Sequence, residues 1–204
     1  MRSLLSSKDQ RQLKLMELLI QNRDWMRLYE LAGKLDCTER VLKNDLNELR
    51  SSFPNIDIQS SVNGIMIDLD IEASFEDVYQ HFLANSQSFQ LLEYMFFNEG
   101  LPIYRTIENL HSSNANLYRL GNRITQILSK QFHIELSFTP SEIKGNEIDI
   151  RYFYAQYFAE RYYFLDWPFQ DIPEDVLTEF ADFFYKITNY PMRFSIYRMY
   201  KLMV

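Results

Sequence analysis

The stretch Leu31–Ser51, LAGKLDCTERVLKNDLNELRS, decides how this chain is read. It predicts the end of one helix, a tight turn at Leu35-Asp36-Cys37, and a second helix with two different faces. From Thr38 onward, Val41, Leu42, Leu46 and Leu49 recur at about 100° per residue and form one apolar stripe. Arg40, Lys43, Asn44, Asn47 and Ser51 fall opposite them, with Arg50 alongside and Asp45 and Glu48 toward the flanks. Thr38 suits the N-cap, because its hydroxyl can accept an unpaired amide proton of the first turn. An ordinary surface helix would share the apolar stripe. The short connection, and small Ala32 and Gly33 where two helices must approach, favour a helix-turn-helix. Its outer face then has the composition for reading DNA: Arg pairs with guanine edges, Asn with adenine edges, and cations with phosphate. Base contacts are expected from Arg40, Lys43, Asn44 and Asn47, and phosphate contacts from Thr38 and Arg50.

Upstream, Leu13, Met16, Leu19 and Ile20 predict a helix from Lys8 to Asn22 that packs behind the motif. Asp24 is expected to cap a second helix from Trp25 to Lys34, with Leu28, Leu31 and Leu35 inward. Downstream, Pro54 stops the recognition helix. Ile56 and Ile58, then Ile65, Ile67 and Leu69, alternate on either side of Asn63-Gly64, a hairpin signal. Three helices and a hairpin make a winged helix. The wing carries Asp57, Asp68 and Asp70 and no Lys or Arg, so it is expected to close the core more than to grip phosphate.

Helices are predicted from Ser74 to Asn85 and through SFQLLEYMFFNEG to Gly100, and then the first pattern returns. Shifted by 75 positions, Tyr29 meets Tyr104, Leu35 meets Leu110, Thr38 meets Ser113, Leu42 meets Leu117, Asn47 meets Asn122 and Leu49 meets Ile124. A helix from Asn114 to Gln131 would bury Leu117, Leu120, Ile124, Ile127 and Leu128. Its outer stripe is Arg119, Asn122, Arg123, Gln126 and Lys130, with no carboxylate, and Ser113 and Asn114 open it. Ile134, Leu136, Phe138 and Ile143 form a second candidate wing. A repeat at fixed offset is a strong sign of duplicated architecture. From Asn146 the composition changes to an aromatic-rich helix with Ile150, Phe153, Tyr154, Tyr157, Phe158 and Tyr162, ended by Trp167-Pro168-Phe169. Pro173 to Asn189 is another helix, and Met192 onward begins a third, with the chain stopping inside that domain.

Apolar residues make up 47% of the 204 and aromatics 16%, so a packed core is expected rather than disorder. The net charge of -7 argues against a polyanion partner until its distribution is seen. Residues 1–50 carry ten Lys/Arg against eight Asp/Glu, residues 51–100 none against eight, and residues 101–145 five against three. Binding to a polyanion follows the local field more than the total, so two basic blocks suffice. A single cysteine, no signal peptide and no long apolar span suit a reducing cytoplasm and no membrane role.

The whole chain resembles the N-terminal part of Mga-family regulators, virulence and metabolism transcription factors of streptococci, enterococci and relatives. RQLKLMELL, LDCTERVLKNDL, NLYRLGNRITQILSKQF and FTPSEIKGNEIDIRYFYAQYF carry the resemblance. It implies a mainly α fold with small β-wings: tandem winged helix-turn-helix domains, then the start of a helical domain similar to phosphotransferase-system regulation domains. The expected boundaries are 1–70, 71–145 (acidic helical connector and second winged helix) and 146–204. It further implies double-stranded DNA as partner, an activator role, no cofactor, possible control by phosphotransferase-system proteins, and homodimerisation through a C-terminal domain absent here. That control works by histidine phosphorylation in the family. His81, His111 and His133 all lie before the final helical segment, so it is carried over to no residue.

An RNA-binding antiterminator is the alternative, since such proteins share the sugar-regulated helical domains, but they use small β-rich RNA-binding modules. No nucleophile pair, metal spacing or Gly-rich phosphate loop marks an enzyme. His111 is expected to be a turn residue and Cys37 a half-buried spacer. The second recognition helix, free of carboxylates, is expected to supply the larger share of affinity and salt dependence through Arg119, Arg123 and Lys130.

Overall fold

A computed structural model describes residues 1–68, 75–162 and 167–189. The chain forms two compact units, Arg2–Leu83 and one beginning at Ala84. In the first, α1 (Ser7–Asn22), α2 (Leu28–Lys34) and α3 (Glu39–Ser52) precede the hairpin β1 (Asp57–Ser61) and β2 (Gly64–Asp68), and α4 (Phe75–Asn85) follows. In the second, α5 (Gln87–Phe97), α6 (Ile103–Asn109) and α7 (Asn114–Phe132) precede β3 (Glu135–Phe138) and β4 (Ser141–Lys144). Helices α8 (Glu147–Tyr162) and α9 (Glu174–Thr188) follow. Both hairpins are antiparallel and two-stranded. The protein is mainly helical, with two winged helix-turn-helix modules in tandem.

The helix starts follow from local chemistry. Ser6, Thr38 and Ser113 each accept the amide proton of the residue three positions on, satisfying a donor that the first turn leaves free. The first core is built from Leu13, Leu15, Met16 and Leu19 of α1, Leu31 of α2, Leu42, Leu46 and Leu49 of α3, and Ile58, Ile65 and Ile67 of the wing. Each of these strand residues alternates with more exposed neighbours, as period-two apolarity requires. Helix α4 covers this unit with Val78, Phe82 and Leu83. The second core has Leu117, Ile124 and Leu128 of α7 buried, with Leu120 and Ile127 only half-buried. Its α8 lays aromatic residues on α5: the Tyr157 hydroxyl donates to the Phe89 carbonyl at 2.8 Å, and the Phe96 ring meets Tyr154 and Phe158 at 4.5 and 4.8 Å.

Three sequence expectations need correction. Helix α2 starts at Leu28 rather than Trp25, because Met26 is extended and exchanges both backbone hydrogen bonds with Ile65, at 2.9 and 2.8 Å. Asp24 therefore caps no helix; its carboxylate accepts the Trp25 amide at 2.7 Å. In the hairpin, Ser61 pairs with Gly64, so the turn is Val62-Asn63 rather than Asn63-Gly64. Gly64 serves the Met26 bridge instead: at φ 130, an added Cβ would fall 2.1 Å from the Met26 carbonyl oxygen. Gly33, in contrast, is exposed with nothing within 4 Å of where a Cβ would sit, so it marks no close helix approach. Leu69, Asp70, Ser74 and the helix expected from Met192 lie outside the described residues.

Candidate nucleic-acid interface

The two modules repeat each other element by element. Helices α2 and α6 have bounds 75 residues apart at both ends, α3 and α7 start 75 apart, and α1 and α5 end 75 apart. The turns between them match in backbone detail. Asp36 and His111 both adopt left-handed conformation, at φ 48 and 47. The Cys37 amide donates to Ala32 at 3.0 Å and the Ser112 amide to Ile107 at 3.1 Å. Left-handed residues other than glycine are uncommon, so a matching pair is a specific signature of one turn used twice. His111 is thus a turn residue.

On α3, Arg40, Lys43, Asn44 and Asn47 are all exposed, and their spacing of three, four and seven places them on one side. That row spans about 10 Å at 1.5 Å per residue, within a major groove about 12 Å wide. Thr38 is occupied as the cap of Val41. Arg50 is half-buried and turned to the wing: its Nε donates to the Ile58 carbonyl at 2.9 Å, one terminal nitrogen donates to the Ser60 hydroxyl, and the other reaches the Asn47 side chain at 3.4 Å. It latches the wing to the helix.

Asp45 and Glu48, the carboxylates expected toward the flanks of this face, are drawn away by α1. Asp45 is 2% exposed and takes the Arg11 guanidinium at 2.6 and 3.1 Å and the Gln12 amide at 3.0 Å. Glu48 pairs with Lys8 and accepts Gln12 at 2.8 Å; the Lys8 bond holds its carboxyl below the usual range. Glu39 stays exposed in the first turn. Sequence reading missed Lys8, Arg11 and Gln12. Their spacing on α1 was the available signal, but nothing local said which side of α3 they would face.

On α7, Asn114, Arg119, Asn122 and Gln126 are exposed. Arg119 is steadied by the Asn116 side chain at 2.8 Å, while Ser113 caps Asn116. Lys130 is exposed too, but about 24 Å along the helix from Asn114, twice the width of a major groove. Phosphate contact or the helix's negative C-terminal end suits it better. Arg123 departs from the expected outer stripe: it is half-buried and donates to the buried Ser88 hydroxyl of α5. Leu120 and Ile127, three residues before it and four after, share its side of the helix and are half-buried like it. The position matching Arg50 is Thr125, whose hydroxyl accepts the Leu136 amide of β3 at 3.1 Å, the same helix-to-wing latch with reversed polarity. Tyr118, opposite Lys43 in the repeat, leans on Phe138 of the wing at 5.3 Å.

Across the two recognition helices, the exposed positions differ everywhere except at Asn47 and Asn122. Cys37 is half-buried, and burial pushes its thiol up, which disfavours the reactive thiolate. Among the described residues, no group of three His, Cys, Asp or Glu could hold a metal, and no helix is long and apolar enough to cross a membrane.

Comparison with known proteins adds to this geometry. Residues 6–65 match the model of the M protein trans-acting positive regulator (MGA) HTH domain, residues 72–158 the Mga helix-turn-helix domain, and residues 173–204 the MGA PRD domain. A protein of Streptococcus pneumoniae serotype 4 described as a trans-acting regulator is 45% identical over all 204 residues, which make up 41% of its own length. The capsule synthesis positive regulator AcpA of Bacillus anthracis is 22% identical over 85% of the chain and 36% of its own length. The anthrax toxin expression trans-acting positive regulator of the same species is 26% identical over 90% of the chain and 38% of its own length. The chain spans about two fifths of the length of these curated relatives.

Proposed function

The chain belongs to the Mga family, and from that premise we propose that it is a transcription regulator that reads double-stranded DNA through α3 and α7. The observation that supports this best is the duplicated recognition helix: in the first copy Asp45 and Glu48 are bound by α1, which leaves Glu39 exposed in the first turn, and the second copy carries no carboxylate. Arg40, Lys43, Asn44 and Asn47 are the proposed readers in the first module, and Asn114, Arg119 and Asn122 in the second. Thr38, Ser113, Gln126 and Lys130 fit the rim near phosphate; Arg50 and Arg123 act mainly by holding their helices in place. The names of the two Bacillus anthracis relatives support activation as the outcome. The proposed domains run 1–70, 71–145 and from 146 onward. The last belongs to a regulatory helical region through which phosphotransferase-system proteins could act, in a cytoplasmic homodimer of the longer protein.

The test is fluorescence anisotropy of the 204-residue chain on promoter duplex, scrambled duplex and single-stranded RNA across a salt series. Asn47→Ala and Asn122→Ala should each lower preference for promoter over scrambled DNA, by about 1–3 kcal/mol for a good bidentate contact. Arg40→Gln with Lys43→Gln should lower the slope of log affinity against log salt by up to about two phosphates' worth. Arg119→Gln with Lys130→Gln should do about the same, because Arg123 is turned inward and Asp45 and Glu48 are bound by α1. Tighter binding to the RNA than to either duplex would instead favour the antiterminator reading.

A further inference from the structure

We propose that Tyr29 and Tyr104 are equivalent DNA-backbone contacts, one per module, each phenol donating a hydrogen bond to a phosphate oxygen. The proposal deepens the DNA reading and rests on it. Each tyrosine is the second residue of the helix before its recognition helix, and they lie 75 positions apart like the helices themselves. Both are exposed, at 60% and 52%, so neither ring is held by a core. The other exposed positions of these short helices have diverged completely: Glu30 stands against Arg105, Gly33 against Glu108 and Lys34 against Asn109. Where a sign of charge has reversed one residue away, packing gives no reason to keep an exposed aromatic alcohol.

Geometry supplies that reason. In a helix-turn-helix the helix before the reader crosses the phosphate backbone, and tyrosine hydroxyls are among the groups that donate there. The contact would orient each module without carrying sequence information. The neighbours also set a difference between the two. Tyr29 already donates to the Glu30 carboxylate at 3.1 Å, so phosphate must displace an anion to be bound. Tyr104 lies under the Arg105 guanidinium, 5.2 Å from its ring centre, and that cation would meet the same phosphate. Tyr104 should therefore contribute more than Tyr29, and Glu30→Gln should strengthen binding.

The experiment is anisotropy of the 204-residue chain on a fluorescein-labelled mixed-sequence duplex, over the salt series used above. Tyr29→Phe with Tyr104→Phe should weaken binding about three- to tenfold at every salt concentration. The slope against log salt should not change, because a neutral donor releases no counterion. Promoter and mixed-sequence duplex should lose affinity by the same factor, and thermal melting should be unaltered because both hydroxyls are exposed. Wild-type binding with an equally tight double variant would overturn the contact alone. A lowered salt slope would overturn it as well, since that would mean the change acted on a cation. A wild-type chain that binds no duplex even at low salt would sink the DNA reading and this contact together.

Discussion

The two winged helices solve one problem by different chemistry. A helix with the proposed role of facing DNA must keep carboxylates off its outer side while still being held to its own core. The first module keeps Asp45 and Glu48 on α3 and ties both to Lys8, Arg11 and Gln12 of α1. The second has no carboxylate on α7 at all, with Leu120 and Arg123 at the matching positions. Its helix is braced by apolar packing and by Arg123 on Ser88, while the aromatic face of α8 packs on α5 and meets α7 at Phe132. The outer face thus ends up cationic in both, by sequestration in one case and by omission in the other. One consequence is that net charge along a recognition helix is a poor guide to its field, since the α1 cations are not on that helix.

The largest expected effect breaks this comparison at Arg11. Arg11→Met leaves the buried Asp45 carboxylate with Gln12 as its remaining side-chain partner. Removing one member of a buried pair costs about 3–5 kcal/mol; a value near about 3 is expected because a quarter of the Arg11 side chain meets solvent. The same bond to Asp45 also holds the Arg11 guanidinium in its charged form. Urea unfolding reported by Trp25, in a Trp167→Phe background, isolates the first module. A loss below about 1 kcal/mol would mean that the pair is replaceable and that sequestration is not structural.

How much of this was visible in the sequence divides along the same line. Elements set by neighbours in the chain were legible. The caps Thr38 and Ser113, the apolar stripes of α3 and α7 and the 75-residue repeat need only local spacing. Elements set across the fold were not. The Met26–Ile65 bridge shortens α2 from a distance, and no propensity of Trp25, Met26 or Arg27 announces it. Arg50 and Arg123 sit beside polar residues on a helical wheel. Each lies close enough to the core boundary that a wing carbonyl or a buried serine captures it. A wheel gives the angle of a side chain but not where a long one bends.

The latch sharpens the comparison with a smaller effect. Arg50→Met removes the donors to Ile58 and Ser60, while Thr125→Val orphans the Leu136 amide. Charged hydrogen bonds contribute more than neutral ones, so about 1.5–3 kcal/mol is expected for the first, discounted for partial exposure, and about 1 for the second. Amide exchange should quicken in β1 and β2 for Arg50→Met and in β3 and β4 for Thr125→Val. Loss of protection in neither hairpin would show that the wings hold by their own ladders and core residues.

Smaller still is a gain. Thr106, fully buried in α6, has a hydroxyl with no hydrogen-bond partner among the described residues, where the matching position in α2 is the apolar Leu31. Thr106→Val keeps the shape and deletes the unpaired group, so the second module should become more stable by about 1 kcal/mol. Denaturation of that module reported by Trp167 would check it. A loss instead would mean that the hydroxyl is satisfied in solution, as an unpaired buried group is not.

The smallest effect asks whether mild acid separates the modules. His81 on α4 packs its ring 4.5 Å from Phe53, the residue that ends α3, and burial pushes its imidazole below the ordinary histidine range. The sign follows from which state holds the proton. With a lower value folded than unfolded, the unfolded chain binds the proton first as pH falls. The His81 contribution is therefore fully present above the unfolded value, about 6.5, and is lost as pH drops from there through the folded value. Unfolding followed by Trp25 should show lower stability near pH 5.5 than near pH 7.5, roughly the window of an ordinary histidine. His81→Phe, which keeps an aromatic contact with Phe53 and cannot titrate, should flatten that dependence while leaving the Trp167 transition unmoved. If wild type and variant fall equally between the two pH values, the acid sensitivity does not come from His81, and its ring carries no titration penalty.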